Sequence, residues 1–217
     1  MAIASKKLFL CLFFVVSSIW ADEDVFRYPL GPQTQVSFNA TCAALAKNSI
    51  VKGNFIQEKY LNRLDRSLRS SGNFIIAAGQ GMVWETLLPF PSTMILGNDF
   101  IVQSRPDGQR SVVSAQGNEA FTQMADVMNA VFSGQSQGLL EKFKVYFFGS
   151  ASNWNMGLLP RDSIIASFAN KITISGDSAI RLIRIYEQNG DTITYSLSSH
   201  NYPAVLNNHE KAYFSIP

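Results

Sequence analysis

His200 and His209 are the only imidazoles in the chain, and their spacing is not the His-x-x-x-His that places two zinc ligands on one helix face. Both stand in a polar C-terminal stretch that reads as exposed loop. Ser163 follows Asp162 but lacks the Gly-x-Ser-x-Gly setting of a strained nucleophile turn. Ser70-Ser71-Gly72 reads as the approach to a strand. Gly79-Gln80-Gly81 has no helix after it to present N–H groups to a phosphate, so it reads as a tight turn. Arg63, Arg66 and Arg69 form a basic cluster. It is either solvated surface or a docking patch for a partner or a lipid headgroup. No metal-ligand set and no cofactor motif emerges, and the chain is not expected to be an enzyme. The alternative is a lipid-processing enzyme with Asp162, Ser163 or His200 at the mouth of a cavity.

Charge and cysteine usage narrow the classes further. Lys6 and Lys7 precede an apolar run from Leu8 to Val16 and a small-residue end at Ser17 to Ala21, the three regions of a secretory signal peptide. The run is short of the ~20 residues a membrane span needs. Residues 1–21 are therefore read as a cleaved signal and 22–217 as one domain. Removing 21 of 217 residues leaves 196, enough to bury a core without disulfides. The loss of Lys6 and Lys7 brings Lys+Arg from 18 to 16, level with the 16 Asp+Glu. A near-neutral chain without a polybasic tract is a poor match for nucleic acid or an anionic membrane. Cys42 is then the sole cysteine, expected to be a small buried apolar residue. Asp22-Glu23-Asp24 is a solubilising acidic start.

The elements that must position any site are mostly strands. Helical spacing runs from about Gln33 to Asn48, with Phe38, Cys42 and Leu45 on one face. Short segments rich in Ile, Val, Phe, Tyr and Thr then alternate with Gly, Asn, Asp and Pro breakers. They predict strands near 51–61, 67–78, 81–88, 92–97, 99–104 and 110–114. Asn118 to Phe132 predicts a helix whose apolar face is Phe121, Met124, Met128 and Val131, and a helical turn follows near 137–141. Strands resume near 143–149, 152–159, 170–176, 179–188 and 191–199. Asn189-Gly190-Asp191 marks a hairpin between the last two. A terminal strand is expected near Tyr213–Ile216.

About eleven strands with two substantial helices leave a question of cover. Phe74-Ile75-Ile76 and Val145 to Phe148 are apolar on both faces, so both sides of the sheet need covering. Either helices fill the concave side completely, or they form a lid over a lipid-accessible space with Met as an adaptable lining. Composition leaves both open.

Phe55-x-Gln57, Ser71-Gly72 and Gly81-Met82-Val83-Trp84 leading to Pro89 and Pro91 follow one another in an ordered series. With Trp154 to Pro160, Asp162 and Gly176, this series resembles the LolA-type periplasmic lipoprotein carriers, and more closely a divergent branch. LppX-like and LprG-like lipid carriers share that architecture. The resemblance implies an α+β, mainly β fold: a strongly curved, unclosed antiparallel half-barrel of about eleven strands under a helical lid. It implies a periplasmic carrier that holds acyl chains of a lipoprotein, a glycolipid or another lipid-like cargo and moves them from inner to outer membrane. An inner-membrane exporter and an outer-membrane acceptor are the implied protein partners, and a monomer is expected. The lining residues would be Phe55, Phe74, Trp84, Ile95, Leu96, Phe121, Met124, Met128 and Val131. The family's arginine before the third-strand proline is absent, since Leu87-Leu88 precede Pro89, so no basic residue stands there to hold the lid. A structural envelope protein with a filled core is the other alternative. Exposing a 16-carbon chain to water costs on the order of 12 kcal/mol at about 0.8 kcal/mol per methylene, which is why such cargo needs a carrier.

Overall fold

The computed structural model describes residues 25–114 and 127–215. The expected signal segment, Phe121 and Met124 lie outside the described residues. Eleven strands form one antiparallel sheet in the order β6-β5-β4-β3-β2-β1-β11-β10-β9-β8-β7. Strands β1 (Ile50–Leu61), β2 (Arg66–Ala77), β3 (Gly81–Leu88), β4 (Ser92–Gly97), β5 (Phe100–Ser104) and β6 (Arg110–Ser114) make one meander. The other runs through β7 (Phe143–Ser150), β8 (Asn153–Pro160), β9 (Lys171–Gly176), β10 (Ile180–Tyr186) and β11 (Thr192–Asn201). β11 closes back onto β1, with Phe55 opposite Leu197 and Tyr60 opposite Thr192.

The sheet is not strongly curled, which corrects the expected strongly curved half-barrel. Tight curvature in a sheet is introduced by bulges and kinks. Register shifts occur at Lys52/Asn54, Ser71/Gly72 and Ile180/Leu182. The central pair β1–β2 runs unbroken from Ile50↔Ala77 to Leu61↔Arg66. Too few strands are bent for the sheet to wrap around its contents.

Alternation along the strands sends two apolar sets to opposite sides. One face carries Phe55, Phe74, Ile76, Met82, Leu96, Leu197, Ile183, Ile174, Met156 and Phe147 in a single core. Helix α1 (Pro32–Leu45), a second helix α2 described over 127–132, α3 (Ser136–Lys142) and α4 (Ser163–Phe168) contribute Phe38, Cys42, Val131, Phe132, Leu139 and Ile165 to it. The other face buries Val83, Ile95 and Val102 under Tyr213 and Phe214, and Ile50 and Ala77 against Leu206. The sheet is thus covered on both sides, as Phe74-Ile75-Ile76 requires.

Local signals account for the ends. Pro32 opens α1, where its missing N–H costs nothing. Asp162 caps α4, accepting from the N–H groups of Ile164 at 2.7 Å and Ile165 at 3.3 Å. Where a terminal strand is expected near Tyr213–Ile216, Tyr213 instead ends α5 (Asn208–Tyr213), residues 214 and 215 are not in a strand, and Ile216 lies outside the described residues. Asn207 accepts from the Glu210 N–H at 2.9 Å, and Glu210 accepts from the Asn207 N–H at 3.0 Å. This reciprocal capping box is a helix start. Edge strand β7 is partnered by the segment before α1, through Leu30 N–H to the Val145 carbonyl at 3.1 Å and Phe147 N–H to the Tyr28 carbonyl at 2.9 Å.

Candidate functional site

Trp84 is the centre of an aromatic array on the helix-side face. Its indole stacks on Phe55 at 4.1 Å between centroids and on Phe74 at 5.9 Å, and meets the edge of Tyr195 at 5.3 Å. Phe74 sits directly opposite Trp84 in the β2–β3 register, and Phe55 sits opposite Leu197 in β11. Room for the Phe74 ring comes from Gly53 across the strand pair. A Cβ there would lie 2.7 Å from both the ring and the Ser198 carbonyl oxygen. Burial, with Glu187 nearby, pushes the Tyr195 hydroxyl up to about 12, so the array is neutral throughout the physiological range.

The array lies at the border of the covered region. Toward β7, the helices close the face completely. Toward the β1–β2 and β3–β4 turns, the same row of side chains comes into the open. Leu68, Met94 and Val113 share this face by register and are 58%, 37% and 41% exposed. Among the described residues, small cavities lie beneath the helices. One cavity of about 100 Å³ lies between β3–β4 and α2, lined by Ile76, Met82, Leu96, Met128 and Phe132. Another of about 20 Å³ lies by Leu45, Phe74, Phe132, Ile180, Leu197 and His200. Phe132 stands between them.

Of the expected lining residues, Phe55, Phe74, Trp84 and Leu96 come together with Met128 and Val131 in one cluster. Ile95 does not join them. Its neighbour Leu96 faces the helices, so strand alternation turns Ile95 to the other side, into the Val83–Val102 cluster. Tyr195 and Phe132, not among the expected lining residues, pack in the same cluster. The hairpin signal at Asn189-Gly190-Asp191 fixes the parity of β11 and with it the side Tyr195 takes. Arg63, Arg66 and Arg69 are exposed at the tip of the β1–β2 hairpin.

Two of the residues weighed for catalysis, Asp162 and His200, make structural contacts. The Asp162 carboxylate is occupied by the α4 cap. His200 Nδ1 lies 3.0 Å from the Arg181 guanidinium, with its ring edge on Phe74. Burial first, and the Arg181 charge second, hold His200 below the ordinary histidine range. Gly79 and Gly81 take φ of +75° and +131° in the β2–β3 turn, conformations a glycine adopts at little cost. Among the described residues, no group of three or more His, Cys, Asp or Glu is placed to hold a metal ion.

The sequence model of the outer membrane lipoprotein carrier protein LolA matches residues 46–210, which includes every strand of the sheet. No curated protein matches the chain significantly. Among solved structures, the chain is similar to a LolA superfamily protein from Nitrosomonas europaea. The two are 7% identical with a TM-score of 0.47, over 83% of this chain and 98% of that one. It is also similar to LprF from Mycobacterium bovis, with 11% identity and a TM-score of 0.45, over 83% and 98% of the two chains. For the lipoprotein LppX of Mycobacterium tuberculosis the values are 11% and 0.43, over 82% and 100%.

Proposed function

The chain belongs to the LolA family of outer membrane lipoprotein carriers, and from that premise we propose that it is a periplasmic carrier holding the acyl chains of a lipidated or lipid-like cargo. The observation that supports this most directly is the apolar helix-side face, which leaves the core and comes into the open beside Trp84. An acyl chain laid along Leu68, Met94 and Trp84 removes its methylenes from water. The cavities under the helices are smaller than the roughly 300–1,000 Å³ typical of ligand sites. Full uptake therefore requires α2 and α3 to move off the sheet, and this movement is the bistable element of capture and release. Binding must stay slightly less favourable than insertion in the receiving membrane, or cargo is never delivered. An exporter in the inner membrane and an acceptor at the outer membrane are the partners this cycle requires.

The test is direct. The exported protein, purified from its host envelope, is extracted for mass spectrometry and titrated with an apolar fluorescent probe. Co-purifying lipid, or saturable probe uptake quenched by Trp84→Phe, is the expected result. Neither lipid nor uptake would overturn the reading. The close packing beneath the helices favours a second reading, a structural envelope protein with a filled core, and that same double negative is the result it predicts.

A further inference from the structure

Exposed apolar and arginine side chains gather at one end of the sheet. In an antiparallel meander the β1–β2, β3–β4 and β5–β6 turns all lie at the same end of the sheet. The β1–β2 hairpin projects beyond its neighbour there. Its two strands stay paired to Leu61↔Arg66, whereas β3 parts from β2 at Ser71↔Leu88. The stretch Arg66–Ser70 therefore stands clear of β3 over roughly 17 Å, at about 3.4 Å per residue.

The apolar side chains of this end point outward. Leu64 at the hairpin tip is 65% exposed and Phe90 in the β3–β4 turn is 79% exposed, with Leu68, Leu87 and Leu88 exposed beside them. Arg63, Arg66 and Arg69 flank them on the hairpin, and Arg105 and Arg110 on the β5–β6 turn. Among the described residues, none of these five arginines is in an ion pair. Five carboxylates lie at the same end, each paired or bonded within the chain or set across a strand. Glu58 faces Arg69 across the strands, Asp65 accepts from the Tyr60 hydroxyl at 2.8 Å, and Asp107 accepts from the Gln109 N–H at 2.9 Å. Lys59, toward β11, is engaged by Glu187 and Asp191.

We propose that this end of the sheet docks on an anionic lipid bilayer, with Leu64 and Phe90 entering the interface and the arginines against lipid phosphates. The shape favours a bilayer over a protein partner. Apolar groups on separate projecting turns find no common concave surface to match, whereas a fluid interface accommodates each of them. Unpaired arginines around apolar tips complement a negative surface potential. On the carrier reading, the geometry also places Leu68, and behind it Met94 and Trp84, next to the membrane, so a chain leaving the bilayer meets apolar surface at once.

Vesicles of phosphatidylethanolamine with phosphatidylglycerol, and vesicles of phosphatidylcholine alone, are sedimented with the exported protein. Association with the anionic vesicles, weakened by salt, is expected. Combining Arg63→Ala, Arg66→Ala and Arg69→Ala should weaken it about a hundredfold, at about fivefold per arginine. Leu64→Ser with Phe90→Ser should weaken it about tenfold or more. These side chains are exposed, so circular dichroism and the Tm should be unchanged in both variants. Equal binding to phosphatidylcholine, or variants that bind as the parent does, would overturn the proposal. So would a parent that binds no vesicle while the variants still block cargo delivery, since the patch would then serve a protein. Apolar-probe uptake is measured in parallel. Uptake retained without vesicle binding overturns docking and leaves the carrier reading standing. Vesicle binding without uptake does the reverse.

Discussion

Cys42 and His200 are the residues whose environments make the sharpest chemical predictions. Burial pushes the Cys42 thiol up to about 11, so at pH 8 only about one molecule in a thousand carries the reactive thiolate. Alkylation by iodoacetamide should be negligible in the folded protein and should proceed at once in denaturant. Rapid labelling of the native form would place Cys42 elsewhere. His200 is held below its unfolded value, so near and below pH 6.5 the unfolded chain binds the extra proton first. Stability from this group is present above that range and is lost as the pH falls through it. The parent should therefore lose more thermal stability between pH 7 and pH 5 than His200→Asn does. Asp177 and Glu210, whose pKa values are lowered, lose their contribution only at lower pH.

At the scale of elements, α2 is the decisive cover. Phe132 separates the cavities of about 100 and 20 Å³, so Phe132→Ala should merge them at a cost of about 3 kcal/mol or more. If the space stores acyl chains, probe uptake should rise as the Tm falls; if it is only core, the Tm alone should fall. The cap of α4 offers a contrast. Asp162→Ala should cost about 1 kcal/mol and leave probe uptake untouched, which also separates a capping role from a catalytic one. In the expected α2 pattern, Met128 and Val131 do face the sheet, while Phe121 and Met124 lie outside the described residues.

For the whole molecule, the two-sided cover matters most. Tyr213, Phe214 and Leu206 lie over Ile50, Val83, Ile95 and Val102, and Glu210 on α5 pairs with Lys52 on β1. Deleting residues 204–217 should uncover an apolar sheet face of the kind that drives association. A lowered Tm with concentration-dependent light scattering is the expected outcome. A truncated chain that stays monomeric and melts as the parent does would show that the C-terminal segment is not part of the cover.

The strand order of the first meander, the hairpin at Asn189-Gly190-Asp191 and the helix of Phe38, Cys42 and Leu45 were legible in the sequence. Each is set by periodicity and turn chemistry within a few residues, and such signals are local. The capping box at Asn207 and Glu210 is equally local. Parity was legible in principle, since Ile95 and Leu96 cannot share a face. What only the tertiary structure decided is how the sheet bends, how much space the helices leave, and which turns gather at one end. Curvature depends on where register shifts fall between strands. Cavity volume depends on how Phe132 and its neighbours fill the gap. The arginine and leucine tips become one surface because antiparallel pairing brings turns distant in the chain side by side, and no local pattern encodes that meeting.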